Sequence, residues 1–415
     1  MRYSSQIWQR SNLLLLATVI VLLAILAVVT PVDADRPLVE KERESVSGQQ
    51  FVPSEGNEES AKPTPRLALK EVQKEQRNHV GESLKWLAEH QNRDGSWSFF
   101  HSDGDNCDDF PNPGKNPSRV GATGLALIPF FNDGESHNRD NDRFQETLAK
   151  GIQFLLKHRN KKTGRIYEKK APLEYQALSH GMAAYTLTLA YAWTRDPKLK
   201  KPAQMAMDYI AKTQGKDGGW RFQPQDPGDT SLLGWQIASL ANGKAVRLKV
   251  PRNVYPRAMR FLDRVQEEDG AKYRAREDGE QGTTPLATSI GLMGRIAMGW
   301  PRDHQAVKAG VAHFAEAGPD ANNIYQDYQA TAFMFLVDGP RGKQWSSWNM
   351  KMRELLLESQ SEEDDKHLSG SWFFPDDKLG GGADEGGRLY HTALATMILQ
   401  MHYTFSMSYY PSQNE

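Results

Sequence analysis

Cysteine is almost missing from this chain: Cys107 stands alone among 415 residues. One thiol cannot form an internal disulfide, so a disulfide scaffold and the multi-cysteine zinc patterns are both excluded. Net charge is missing too. A quarter of the residues (25%) are charged, yet the formal charge is only −1. There is no basic field for nucleic acid and no acidic excess for a cationic partner. Long apolar runs are scarce as well. The single one runs from Leu13 to Val29 and extends to Val32.

That run is preceded by Arg2 and Arg10 and followed by Asp33 and Asp35. The positive-inside rule keeps the start cytoplasmic and sends everything after the run across the membrane. Val32-Asp33-Ala34 offers a small-residue cleavage site, so residues 1–34 read either as a cleaved signal peptide or as an uncleaved transmembrane anchor over 13–32. The body is expected to be an exported protein: membrane-anchored on the extracytoplasmic or periplasmic side, or secreted if the signal is cleaved. Residues 35–66 are rich in Glu, Ser, Pro, Gly and Gln and poor in large apolar side chains. Such a stretch buries too little surface to offset its ordering entropy, which predicts a disordered linker. Folding is expected over 67–415, where ten Trp, sixteen Phe and thirteen Met in the chain suffice for a large core.

The folded part repeats one unit, clearest over 206–240. A helix with apolar residues at Ala203, Ala206, Met207 and Ile210 ends at Gly218-Gly219, because glycine takes the left-handed conformation that stops a helix without steric cost. Trp220 follows, then a polar loop, then Asp229-Thr230-Ser231 opening an almost uncharged helix. The ends align as Trp86-Leu87…Gln91…Gly95-Ser96-Trp97, Phe154-Leu155…Arg159…Gly164-Arg165-Ile166, Tyr209-Ile210…Gln214…Gly218-Gly219-Trp220, Phe261-Leu262…Gln266…Gly270, and Leu355-Leu356…Gln360…Gly370-Ser371-Trp372. A worn copy carries Phe314 and lacks the Gln and the long turn. Each copy leads into a second helix rich in Ala, Gly, Ser and Thr, near 120–131, 181–193, 231–245, 286–299, 328–337 and 391–407.

Two helix classes with different burial explain the alternation. One is amphipathic, as in Ala258, Phe261, Leu262 and Val265, and faces solvent on its polar side. The other is apolar or small all round, as a helix walled in by neighbours would be. About six such hairpins favour an all-α ring, an α/α toroid with the bland helices inside. An open solenoid with a repeat of about 34 residues fits the spacing less well.

The phrase aromatic-Leu-x3-Gln-x3-Gly-x-aromatic resembles the QW repeat of squalene and oxidosqualene cyclases, the prenyltransferase/squalene oxidase repeat type. Protein prenyltransferase β subunits share that architecture. The resemblance implies a terpenoid cyclase-like toroid, Gln and Trp tying one repeat to the next, and a cavity for isoprenoid or other lipid chains. It also exposes gaps. Class II cyclases protonate an alkene with the central acid of a DxDDT motif, and here Asp226-Pro227-Gly228-Asp229-Thr230 puts glycine at that place. Asp226 and Asp229 remain as candidate catalytic acids. Gly386-Gly387-Arg388-Leu389-Tyr390-His391 resembles the stretch carrying the zinc-binding His of the prenyltransferases. His391 and Asp327 would be two ligands of a zinc site whose Cys is missing.

Each candidate has a plain structural alternative. Asp229 is a favoured N-cap. Asp226 sits in a loop before proline. Asp327 opens an apolar helix, where a lone acid is costly to bury without a partner, and it is the third candidate acid. His180, Asp229, Asp327 and His391 all lie at inner-helix starts, so one rim of a toroid could gather them as a metal or acid–base cluster, or leave them as separate caps and core histidines. Trp235, Tyr328 and Tyr390 are candidates for contacting an apolar ligand, and His180 for the rim beside it. Three functions stay open: a membrane-tethered toroid that binds a lipid, with or without transforming it, a non-catalytic toroid acting as a protein-interaction platform, and a carbohydrate-active toroid using Asp226, Asp229 or Asp327 as paired carboxylates.

Overall fold

A computed structural model describes residues 65–101, 110–140, 142–223, 226–279, 282–365, 367–377 and 382–409. The apolar run 13–32, most of the stretch read as linker, and Cys107 lie outside the described residues. Among the described residues no helix is long and apolar enough to cross a membrane.

Among the described residues twelve α-helices alternate in two layers: α1 (Pro65–Glu89), α2 (Arg119–Asn132), α3 (Gln145–His158), α4 (Leu173–Thr194), α5 (Pro197–Thr213), α6 (Thr230–Ala245), α7 (Val254–Val265), α8 (Pro285–Met298), α9 (Gln305–Ala317), α10 (Ile324–Asp338), α11 (Lys343–Ser359) and α12 (Gly387–Tyr409). The even-numbered helices form a closed inner ring. α2 packs on α4, α4 on α6, α6 on α8, α8 on α10, α10 on α12, and α12 returns to α2. Odd-numbered helices lie outside over the seams, as α5 does on α4 and α6 and α1 does on α12 and α2. This is the arrangement of an α/α toroid.

Sequence dictates which layer a helix joins. α7 buries Val254, Ala258, Phe261, Leu262 and Val265, one stripe at helical spacing,. α6 instead buries residues on every face, from Thr230 and Leu233 through Trp235 and Ser239 to Asn242 and Gly243. Its small residues let neighbours approach: a Cβ on Gly181 of α4 would stand 3.0 Å from the Trp235 Cβ of α6.

The glutamines carry the joints. Gln91 Nε2 donates to the Gly95 carbonyl at 3.0 Å and to the Thr147 carbonyl of the next outer helix at 2.8 Å. Gln214 Nε2 does the same to Gly218 and Val254, at 2.8 and 3.0 Å. Gln360 Nε2 reaches Gly370 at 2.7 Å and His79 of α1 at 3.0 Å, which shuts the ring. The tryptophans turn back instead. Trp97, Trp220 and Trp372 donate Nε1–H to the carbonyls of Leu87, Ile210 and Leu356 in their own preceding helices. Of the pair expected to join repeats, the Gln crosses the seam and the Trp locks its own hairpin. Gly218 has φ +94°, and a Cβ there would stand 2.0 Å from the Arg257 carbonyl oxygen. Only glycine permits that approach of the turn to the next helix.

Two departures from the expected repeat occur. The fourth turn contains a short antiparallel pair, β1 (Gln266–Glu267) with β2 (Lys272–Tyr273). The worn fifth turn has no tryptophan of its own, and Trp348 of the following outer helix donates to Thr331 Oγ1 at 3.0 Å.

Candidate functional site

The loop before α6 explains the glycine that stands where a central acid was sought. Asp217 accepts from Gly219 N–H at 3.0 Å and from Gly228 N–H at 2.6 Å, folding the loop onto the turn. A Cβ on Gly228 would then lie 2.6 Å from the Gly219 Cα and 2.9 Å from the Phe261 ring. No side chain fits there. The flanking acids are spent locally: Asp226 accepts from Gln223 N–H at 2.9 Å, and Asp229 caps α6 by accepting from Ser231 N–H at 2.9 Å and Ser231 Oγ–H at 2.6 Å.

The four inner-helix-start residues do not gather into one cluster. His180 is buried, with Nδ1 accepting from Ile166 N–H at 3.1 Å and Nε2 donating to the Ala206 carbonyl at 3.1 Å. It takes the place held elsewhere by threonine, since Trp97, Tyr273 and Trp372 donate their backbone N–H to Thr123, Thr288 and Thr392. Burial lowers its pKa to about 4, against a smaller opposing effect of the two backbone bonds, so the ring stays neutral. His391 accepts from Phe374 N–H at 3.0 Å and faces Asp377 through Nε2 at 3.3 Å. Asp377 also accepts from Ile324 N–H at 3.2 Å, pinning the start of α10. Asp327 is fully buried. Its Oδ1 accepts from Asp320 N–H at 2.9 Å, and its Oδ2 has no partner among the described residues. Burial pushes its carboxyl well above the usual range, and the Asp320 and Asp377 charges add to that push while the Asp320 N–H opposes it. The fold therefore favours the protonated form of Asp327.

So Asp377, a residue that sequence reasoning missed, contacts His391 and its charge is felt by the Asp327 carboxyl, while His180 and Asp229 remain in their own repeats. A zinc ion does not fit this group. Both His391 nitrogens are already engaged, and among the described residues no three His, Cys, Asp or Glu side chains are arranged to hold a metal.

Beyond the helix starts the bore is crossed by a stack of aromatic rings. Trp235 lies nearly parallel to Tyr325 and to Tyr328, each at 6.2 Å between centroids. Trp235 and Tyr328 border a cavity of about 210 Å³ lined by the middle and C-terminal halves of the inner helices. Its walls are Gly234, Ala238, Ala241, Gly294, Ala297 and Ala332, with Leu233, Ile290, Met293, Phe335 and Met397 between them. Small residues leave the space open. Tyr390 is buried beside His391 instead, with ring centroids 5.9 Å apart, and is not among the cavity's lining residues. None of the described lining residues is Asp, Glu, His, Lys or Arg. Polar character comes from amides, Asn132, Asn242, Gln329 and Gln400. Gln400 is the lone amide of α12 among the described residues, which is the signal by which the sequence could have shown it, whereas Asn242 shares α6 with Gln236 and does not stand out.

No family model matches the chain. Over 151 residues it is 27% identical to drimenyl diphosphate synthase of Streptomyces showdoensis, a match covering 36% of this chain and 27% of that relative's length. Among solved structures, type II terpene cyclase MstE from Scytonema, as a variant in complex with geranylgeranyl dihydroxybenzoate, superposes with a TM-score of 0.52 at 14% identity. That alignment covers 82% of this chain and 99% of the cyclase. A Clostridium perfringens alpha-amylase reaches a TM-score of 0.54 at 13% identity, covering 78% of this chain and 97% of its own. An alpha-1,6-mannanase variant of Salegentibacter in complex with alpha-1,6-mannotetrose reaches 0.51 at 10% identity, covering 78% and 98%. The chain thus has a terpene cyclase-like helical fold, and that fold also carries enzymes named for sugars.

Proposed function

We propose that the chain binds the hydrocarbon part of an isoprenoid or similar lipid in the bore of its helical ring. The observation that carries this reading is the cavity wall: mostly glycine, alanine, aliphatic and aromatic side chains with a few amides, and no Asp, Glu, His, Lys or Arg among the described lining residues. Apolar cavities with a few polar groups are the usual form of a small-molecule site. A volume of about 210 Å³ is below the roughly 300–1,000 Å³ of typical ligand pockets. A long chain would therefore thread the bore and protrude from it. The terpene cyclase-like neighbours, one of them holding a geranylgeranyl compound, support the same class of ligand. Tethering through residues 13–32, with the ring on the extracytoplasmic side, would keep it next to a lipid source.

A second reading adds chemistry. Asp327 is a buried acid whose proton the fold holds more tightly than water does, with one carboxyl oxygen unpartnered among the described residues. It does not itself line the cavity but precedes Tyr328, which does, so an alkene would have to reach the helix starts to meet it. A proton for an alkene would come from it, because Gly228 has no acid to give. A sugar substrate is less well served, since Asp226 and Asp229 are held in a loop and a cap and Asp327 is closed to solvent. Among the described residues the exposed large apolar side chains are only Leu173, Phe222 and Met350, on α4, the loop before α6 and α11.

Native mass spectrometry of the full chain in mild detergent tests the binding reading. One prenyl lipid per chain after incubation with farnesol is expected, and a chain that stays empty throughout would overturn it. Incubation of wild type and Asp327→Asn with farnesol, followed by product analysis, separates binding from conversion: a cyclised product lost in the variant selects the second reading.

A further inference from the structure

The bore carries unused hydrogen-bonding capacity at defined depths. Trp235 Nε1–H, Asn242 Nδ2–H and Gln400 Oε1 are all buried and lack partners among the described residues. Their side chains are on residues only 2%, 6% and 2% exposed. Asn242 Nδ2 lies against the Tyr185 hydroxyl, close enough to temper the rise that burial imposes on that phenol's pKa, but the pair falls short of full hydrogen-bond geometry, so a ligand oxygen can compete for this N–H. Gln400 is fixed at its other end, donating Nε2–H to the Pro129 carbonyl at 2.7 Å. Unpaired buried polar atoms are rare because each forfeits its bonds to water. Here they face a cavity, which is where a ligand would satisfy them.

Position and sign narrow the ligand. Asn242 lies in the last turn of α6, and Gln400 is level with Pro129 near the end of α2. Third and sixth in the ring, α6 and α12 stand on opposite walls. The mouth therefore offers a donor on one side and an acceptor on the other. The C-terminal ends of the inner helices gather here, each equivalent to about half a negative charge. No described Lys or Arg lines the space to offset them. Lys244 lies over the Tyr255 ring of outer helix α7, and Arg195 over the Tyr191 ring. A diphosphate would bring further negative charge to a negative rim. A hydroxyl both accepts and donates hydrogen bonds, so it can satisfy Asn242 Nδ2–H on one wall or Gln400 Oε1 on the other. A carbonyl would leave Gln400 Oε1 unmatched.

We infer that the bore selects a prenyl chain ending in a single neutral hydroxyl, chain inward against Trp235 and Tyr328 and hydroxyl at the Asn242–Gln400 mouth, and rejects the corresponding diphosphate. This rests on the lipid-binding reading and specifies its ligand.

The test is to titrate the full chain with farnesol, farnesyl diphosphate and farnesene, which share a branched prenyl chain and differ at its end. Farnesol is expected to bind roughly tenfold tighter than either of the others, the scale of one or two well-placed hydrogen bonds. Asn242→Leu with Gln400→Leu should bring farnesol down to the affinity of farnesene, with the helical circular dichroism unchanged. Gln400→Glu should weaken farnesol by adding charge at the same shape. Diphosphate binding as tight as farnesol, or a preference for farnesol that survives the folded double variant, overturns the inference. Farnesene and farnesol binding alike overturns it while leaving the lipid-binding reading intact. Failure of all three probes takes both down.

Discussion

Gln360 donates to the backbone carbonyl of His79, 281 residues earlier, at 3.0 Å. Its carbonyl oxygen also meets the His79 ring. Nearby, Thr396 Oγ1 donates to Ser83 Oγ at 2.9 Å. These contacts join the last hairpin to the first helix and make a ring of what would otherwise be a row.

Removing that joint should be felt globally. Gln360→Ala leaves the His79 and Gly370 carbonyls without their donor and is expected to cost about 1–3 kcal/mol in urea unfolding. Gln214→Ala, which makes the equivalent pair of bonds within the arc, should cost a similar amount. Only Gln360→Ala should also speed limited proteolysis within α1, because only there does the first helix of the ring lose its hold on the last hairpin.

Supplying the missing central acid should not work. Gly228→Asp and Gly228→Ala both place a Cβ 2.6 Å from the Gly219 Cα. Overpacking of this kind costs about 1–3 kcal/mol, so both variants should melt lower than wild type, with no gain of cyclisation.

Two buried groups give opposite pH slopes. The Asp327 carboxyl is raised above its ordinary value of 3.8, so the folded chain holds that proton more tightly than the unfolded one. Stability from this group is present at low pH and falls as pH climbs from 3.8 until the buried carboxyl itself ionises. Asp327→Asn keeps an oxygen for Asp320 N–H and cannot ionise. It should gain on wild type in urea unfolding as pH rises from 4 to 7.

His180 works the other way. Its pKa falls from 6.5 to about 4, so the unfolded chain binds the proton first as pH drops. The stability of the neutral ring is lost between pH 6.5 and 4, by up to roughly 3 kcal/mol. His180→Thr, the residue found at the equivalent places in other repeats, should flatten that part of the curve even if it lowers the plateau at pH 7.

Much of the ring was legible in the sequence because it is written in periodicity. Inner helices expected at 231–245 and 286–299 run over Thr230–Ala245 and Pro285–Met298. Three inner helices start earlier than expected. α4 begins at Leu173, α10 at Ile324 and α12 at Gly387, because polar residues or glycine in their first turns hid the continuation. The site was harder to see. Asp377 acts through contacts to Ile324 and His391 that no local pattern encodes. Shared position at inner-helix starts suggested that His180 and Asp229 would join Asp327. Helix rotation decides otherwise: the His180 ring points to the backbone of Ile166 and Ala206, and Asp229 turns back on its own helix. The cavity falls farther along the helices, where only bland residues mark it.

Filling the cavity should abolish binding without unfolding the ring. Ala238 lines the bore and is partly exposed to it, so Ala238→Phe is expected to lose farnesol binding while changing the melting temperature by only a few degrees, about 1 kcal/mol or less.

The most direct measurement is photolabelling of the full chain with a diazirine-bearing prenyl alcohol, followed by peptide mapping. Adducts on bore-facing positions of 233–242 and 328–336, suppressed by excess farnesol and absent in Ala238→Phe, are the predicted result. Adducts confined to the outer helices, or insensitive to farnesol, would contradict the account.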